Sequence, residues 1–259
     1  MDLHGRLLQP TTCASIARVS IRIGTAGWSL PKQSAGMFAE DGSHLERYAS
    51  RLPFVEVNSS FYRPHRRTTW ERWARSVPQD FRFAVKMPKS ITHEAKLVNA
   101  GALLLPFFEQ ISGLGEKLGP VLVQLPPKLA FEEGTVRDFF GVLRELHTGD
   151  TVCEPRHASW FDGCADRLLR EFDIARAAAD PAKGSPRAAE PGGSAHLRYW
   201  RLHGSPRTYY SEYSEEFLQN LAERVRQQPE TPAWIVFDNT ALGHATPNAL
   251  HLRELLQVM

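Results

Sequence analysis

Cysteine is scarce in this chain: Cys13, Cys153 and Cys164 are the only three in 259 residues, and no C-x-x-C pair occurs. An odd, scattered set excludes a disulfide framework or a zinc ribbon and fits a reducing cytoplasm. No apolar run is long enough to span a membrane, and the first twenty residues lack the apolar stretch of a secretory signal. Neither sign of charge dominates. The formal net charge of +2 neither requires nor excludes an anionic partner. No G-x-G-x-x-G follows a strand, so no dinucleotide is expected. The H-E-x-x-H and G-x-S-x-G patterns are also missing. The expectation is a soluble, cytoplasmic chain without membrane association. It has a short extension over 1–18 and a single domain over 19–259.

What the chain does have is repetition. Short runs rich in β-branched, aromatic or small apolar residues recur at 19–25, 54–60, 81–87, 120–126, 151–155, 173–180, 197–204 and 233–240. Their length and composition suit strands. Amphipathic helical patterns lie between most of them. Ser43 and Glu46 have capping-box spacing, and Thr246-Pro247 reads as an N-cap followed by proline at the first helical position. Strand–helix alternation argues for a parallel sheet covered by helices, and eight units in this length argue for closure. The fold class is therefore α/β, a TIM-type (β/α)8 barrel. One unit is incomplete. The stretch "PAKGSPRAAEPGGSAH" leaves no room for a normal helix, so the sixth helix is expected to be shortened or replaced by a loop.

In such barrels the reactive groups sit where strands end. Here every strand end carries polar groups. The candidate catalytic residues are Glu154, His203, His157 and Asp238, with Glu154 tuned by Arg156 and His203 for acid–base work. Candidate substrate-binding residues are Trp28, Asn58, Tyr62, Arg63, Lys86, Gln124, Arg156, Trp160, Arg201 and Asn239. Period-two alternation aims Glu56 with Asn58, and Arg201 with His203, into the barrel. Gly204, Arg207, Gly243 and Thr246 form a candidate anion site beside the last helix. The bland reading is that these groups only pair with one another, through bridges such as Glu154–Arg201 or Glu56–Arg156. His93, Glu154, His157, His203 and Asp238 are suitable metal-ligand types, but they are scattered. No metal site is therefore assigned, and a divalent ion is a minor alternative. Cys153 sits mid-strand and reads as a small buried hydrophobe rather than a nucleophile.

The successive motifs "GTAGW", "VEVNSSFY", "KMPKSITH", "LGPVLVQLPP", "EPRHASW", "RLHG" and "FDNTALGHATPNA" resemble the domain-of-unknown-function family seventy-two, the YecE-like proteins, over residues 21 to 256. The resemblance implies a TIM-type barrel and supplies no activity, cofactor or catalytic residue to carry over. Pro155, where an apolar or aromatic residue is expected, and the shortened sixth helix depart from the family pattern. The residues themselves point to an enzyme for a polar or phosphorylated small molecule. A nucleic-acid-binding or phosphodiester-cleaving protein and a non-catalytic docking barrel are the alternatives.

Overall fold

The computed structural model describes residues 20–258, so the expected extension over 1–18 lies outside it. The eight apolar runs become a closed parallel sheet. Its strands are β1 (Ile21–Ala26), β2 (Phe54–Val57), β3 (Arg82–Lys86), β4 (Leu118–Gln124) and β5 (Thr151–Glu154). They are followed by β6 (Ala175–Arg176), β7 (Ala178–Asp180), β8 (Gly192–Gly193), β9 (Arg198–Leu202) and β10 (Ala233–Phe237). Hydrogen-bonded neighbours run β7-β9-β10-β1-β2-β3-β4-β5-β6-β8. β6 and β7 are two halves of one stave. The lower half pairs with β5 and the upper half with β9, which closes the ring. The barrel thus has eight staves.

Helices α1 (His44–Ala49), α2 (Ser59–Tyr62), α3 (Arg67–Arg75), α4 (Gly101–Ile111), α5 (Glu133–Leu146), α6 (Gly163–Glu171), α7 (Glu215–Arg226) and α8 (Ala245–Leu256) connect the staves. Ser43 and Glu46 form the capping box expected at the start of α1. Between β7 and β9 there is only a single short turn of helix, Pro186–Ala189, as the proline and glycine content requires. The two-residue β8 then runs antiparallel to β6 and covers its free edge. The last helix corrects the sequence reading. It starts at Ala245 with His244 at the N-cap, so Thr246 and Pro247 are its second and third residues. The turn is made at Gly243, with φ +84, and His244 already has helical dihedrals.

The barrel interior is layered. Phe54, Ala84, Leu122, Val152, Ala177, Tyr199 and Val236 form an apolar plug. Two residues further along the same staves stand Glu56, Lys86, Gln124, Glu154, Arg201 and Asp238, all buried. Side chains alternate faces along a strand, so each of these follows its apolar predecessor inward. Small residues make room for the large ones. A Cβ on Gly24 would overlap the Phe54 carbonyl oxygen and lie 2.9 Å from the Phe54 ring.

Gly24→Ala should therefore destabilise the fold by about 1–3 kcal/mol or more, the cost of overpacking a core. Gly141→Ala is the control: it lies within α5 and its Cβ would meet nothing within 4 Å. That substitution should be neutral or stabilising by up to about 1 kcal/mol. Urea unfolding of both variants checks the pair. A neutral Gly24→Ala would contradict the packing of β1 on β2.

Candidate active site

The polar layer is organised by one side chain. Arg201 leaves β9 pointing inward and is 0% exposed. Its Nε and Nη2 donate to Glu56 Oε2 and Oε1 at 3.0 and 2.6 Å, a two-point clasp. Its Nη1 donates to Glu154 Oε2 at 2.5 Å, and Nη2 lies 3.4 Å from Asp238 Oδ2. Three carboxylates from three staves thus converge on one guanidinium. Tyr199, two residues earlier on the same face, donates its hydroxyl to Glu56 Oε2 at 2.9 Å.

A second tier sits above. Arg156 donates from Nε to Glu154 Oε1 at 2.8 Å. His203 Nδ1 is 2.9 Å from Asp238 Oδ2, and its Nε2 is 3.4 Å from Glu154 Oε1. Burial opposes the charge on Glu154, but Arg201, Arg156 and His203 outweigh it and hold its pKa well below the ordinary 4.5. Asp238 is likewise depressed despite burial, chiefly by its hydrogen bond from His203 and by Arg201. Burial and Arg201 pull His203 down, yet the two carboxylates raise it above its ordinary 6.5.

Lys86 is different. It ends β3 in the same layer, 8% exposed, but no carboxylate lies within salt-bridge distance of its Nζ among the described residues. The ammonium instead rests over the Phe61 ring, 4.1 Å from the centroid. Burial and the charge of Arg201 lower its pKa to about 8 against the pull of Glu56, Glu154 and Asp238. His93 stands edge-on to the same Phe61 ring at 4.9 Å, and burial with Lys86 and Arg156 lowers its pKa.

The structure thus brings together Glu154, His203, Asp238, Arg156 and Arg201, with Gln124 paired in register beside Glu154. Of the two expected bridges, Glu154–Arg201 forms. Glu56 pairs with Arg201 instead of Arg156. Asn58 is the residue preceding α2, with a buried Oδ1 that has no partner among the described residues. His157 turns Nδ1 to Ser159 and caps a short helical turn.

Other expected mouth residues stand apart. Trp160 is buried and donates Nε1 to Leu129 O at 2.9 Å, because the turn after β5 folds under the loop that follows β4. Asn239 is buried and ties Ser211 to Asn248. Trp28 packs edge-on against Trp73 at 5.0 Å. Tyr62 is 72% exposed, and Arg63 is exposed beside it.

The anion cradle expected at Gly204, Arg207, Gly243 and Thr246 is not open. A Cβ on Gly243 would meet Pro31 at 2.8 Å, and one on Gly204 would meet Ser211 O at 2.9 Å, so both glycines serve contacts within the chain. Thr246 is buried, and Arg207 lies over the Tyr210 ring at 3.9 Å. Tyr199 was not among the expected site residues. The alternation that aims Arg201 inward also aims Tyr199 inward, and that signal would have found it.

Among the described residues, no group of three or more His, Cys, Asp or Glu is arranged to hold a metal ion. The point between Glu56, Glu154 and Asp238 is filled by the Arg201 guanidinium. Burial pushes the Cys153 thiol up, as suits a packed side chain. No helix among the described residues is long and apolar enough to cross a membrane.

A model of the family described as "Protein of unknown function DUF72" matches residues 22–259. The chain belongs to DUF72. It is 34% identical over 107 residues to YecE of Escherichia coli K12, spanning 41% of this chain and only 38% of that relative's length. A solved DUF72 protein from Thermotoga maritima MSB8 superposes with a TM-score of 0.76 at 26% identity, covering 92% of this chain and 99% of the other. A D-psicose 3-epimerase from Clostridium cellulolyticum H10, solved with D-tagatose, shares the barrel at a TM-score of 0.53 and 8% identity. That match covers 92% of this chain and 98% of the epimerase. At that identity the likeness is one of fold alone. DUF72 as a family carries no established activity.

The titrations set a pH signature. Glu154 and Asp238 stabilise the fold above their ordinary values, and that contribution is lost as pH falls through their depressed ones. His203 has the opposite sign: its contribution is full below 6.5 and is lost as pH rises through its raised value. In urea unfolding across pH, His203→Asn should remove a decline in stability that wild type shows above about pH 6.5, while the acid limb persists. An identical alkaline limb in both proteins would contradict the placing of His203 between two carboxylates.

Proposed function

We propose that this chain is an enzyme for a small, polar, anionic substrate bound at the C-terminal mouth of the barrel. The observation that carries the reading is Lys86, a buried amine without a carboxylate partner in a layer where the three carboxylates converge on Arg201. With a pKa near 8 it is an effective proton acceptor or donor at neutral pH. Groups with donors to spare at the mouth are cationic or neutral, which favours an anion. Arg156, half-buried, adds a guanidinium face.

Roles follow from what each group has already spent. Glu154 is held ionised by Arg201, Arg156 and His203, so it positions its neighbours and does not move a proton. His203, with both ring nitrogens turned to Asp238 and Glu154, fixes the floor of the mouth and is given no proton to donate. Gln124 and Arg156 orient the substrate. His157, turned into its own loop, is given no catalytic role. A cytoplasmic setting is part of the same reading, supported by the free thiols Cys153 and Cys164.

Competitive acetylation across pH, read by peptide mass spectrometry, tests the amine. Lys86 should acylate with an apparent pKa near 8. Against a panel of small phosphate esters and hydroxy acids, Lys86→Met should lose about 100-fold or more in any kcat/KM found, with the fold intact. An amine titrating at the ordinary 10.5, or full turnover in Lys86→Met, would overturn the reading.

A further inference from the structure

The loop between β7 and β9, where a barrel helix would stand, leaves a seam on the outer face of the barrel. Along β9, Tyr199 and Arg201 point inward, so Arg198 and Trp200 point outward, where a helix would normally cover them. A cavity of about 410 Å³ occupies that place, lined by Arg170, Arg198, Trp200, Arg224 and the backbone of Gly192 to Ser194. Its size is that of a small-ligand site.

Two buried donors here lack an acceptor: Trp200 Nε1, on a residue 3% exposed, and Arg198 Nε, on a residue 5% exposed. Such groups cost free energy unless something accepts from them. Arg198 has already spent its other donors on the carbonyls of Arg224, Val225, Gln228 and Thr231. Arg170 is fixed by Gly193 O and Asp166, and Arg224 by Ala189 O and Glu190. An adjoining cavity of about 320 Å³ adds Arg176 and Arg187. The two cavities together present five arginines against two carboxylates, Asp166 and Glu190. Three positive charges are left over, on guanidinium groups anchored by backbone carbonyls.

We propose that this seam is a second binding site, for a small, multiply charged oxyanion of the phosphate-ester or polycarboxylate class. Arg170 and Arg224 hold the anion at the rim, against a wall made by Trp200 and Arg198. Planar guanidinium forks suit both oxyanion types. The site backs onto the strand that carries Arg201 and His203 on its other face, so its occupancy bears on the mouth through one stave.

The test uses the full chain carrying Lys86→Met with Arg156→Ala, which removes both cations proposed to act at the mouth, titrated with pyrophosphate and with citrate at fixed ionic strength. Calorimetry should show saturable binding of at least one probe. Arg170→Ala with Arg224→Ala in the same background should weaken it about tenfold or more. Trp200→Phe, the milder variant, should abolish the accompanying change in tryptophan emission. Preference for pyrophosphate would assign phosphate esters, and preference for citrate polycarboxylates. Binding that ignores the arginine changes, or no saturable binding of either probe, would overturn the seam site whatever happens at the mouth.

Discussion

The upper half of this barrel depends on one buried guanidinium. Arg201 sits without solvent exposure among Glu56, Glu154 and Asp238, each from a different stave. Three carboxylates so placed repel one another and are stripped of water. A fixed cation that meets all three offsets that cost. Replacing buried ion networks of this kind with well-packed apolar side chains is often neutral or stabilising. The network is thus a specification of geometry more than a source of stability: it dictates where Glu154, Asp238 and, through them, His203 and Arg156 point. Lys86, left without a partner in that layer, is the group whose position is otherwise unexplained.

A second constraint is the sixth stave. The chain pairs with β5 over two residues and with β9 over the next three, and then has no helix to return through. Ordinarily that helix would cover the outer side chains of β9. Here Gly192–Gly193 closes the edge as a short antiparallel strand, and arginines anchored on carbonyls line the seam. The strand that organises the mouth from inside therefore carries, on its outer face, side chains packed by loop and arginines in place of a helix.

Much of this was legible in the sequence, and the reason is the period of two. Alternation along "LRYWRLHG" and "FVEVNSS" aims Arg201, His203 and Glu56 inward, and the barrel places Glu154 and Asp238 opposite them. The missing helix was equally plain from its prolines and glycines. Loops obey no such period. Nothing in "EPRHASW" indicates that Trp160 turns beneath the β4 loop to reach Leu129 O. Nothing near Gly243 indicates that Pro31, more than two hundred residues earlier, fills the space an anion was expected to occupy. Pairing is also a matter of reach: Glu56 could meet Arg156 or Arg201 by stave order alone, and only three-dimensional packing selects Arg201.

The central claim, that Arg201 neutralises carboxylates that cannot otherwise be buried together, is tested most directly by a double-mutant cycle in urea unfolding on Arg201→Met, Glu56→Met and the double variant. Arg201→Met alone should cost about 3–5 kcal/mol, because it strands buried charge. The double variant should be more stable than Arg201→Met, since it removes one of the stranded charges, giving a coupling of about 1 kcal/mol or more. Additive losses, with the double variant the least stable of the three, would contradict the account.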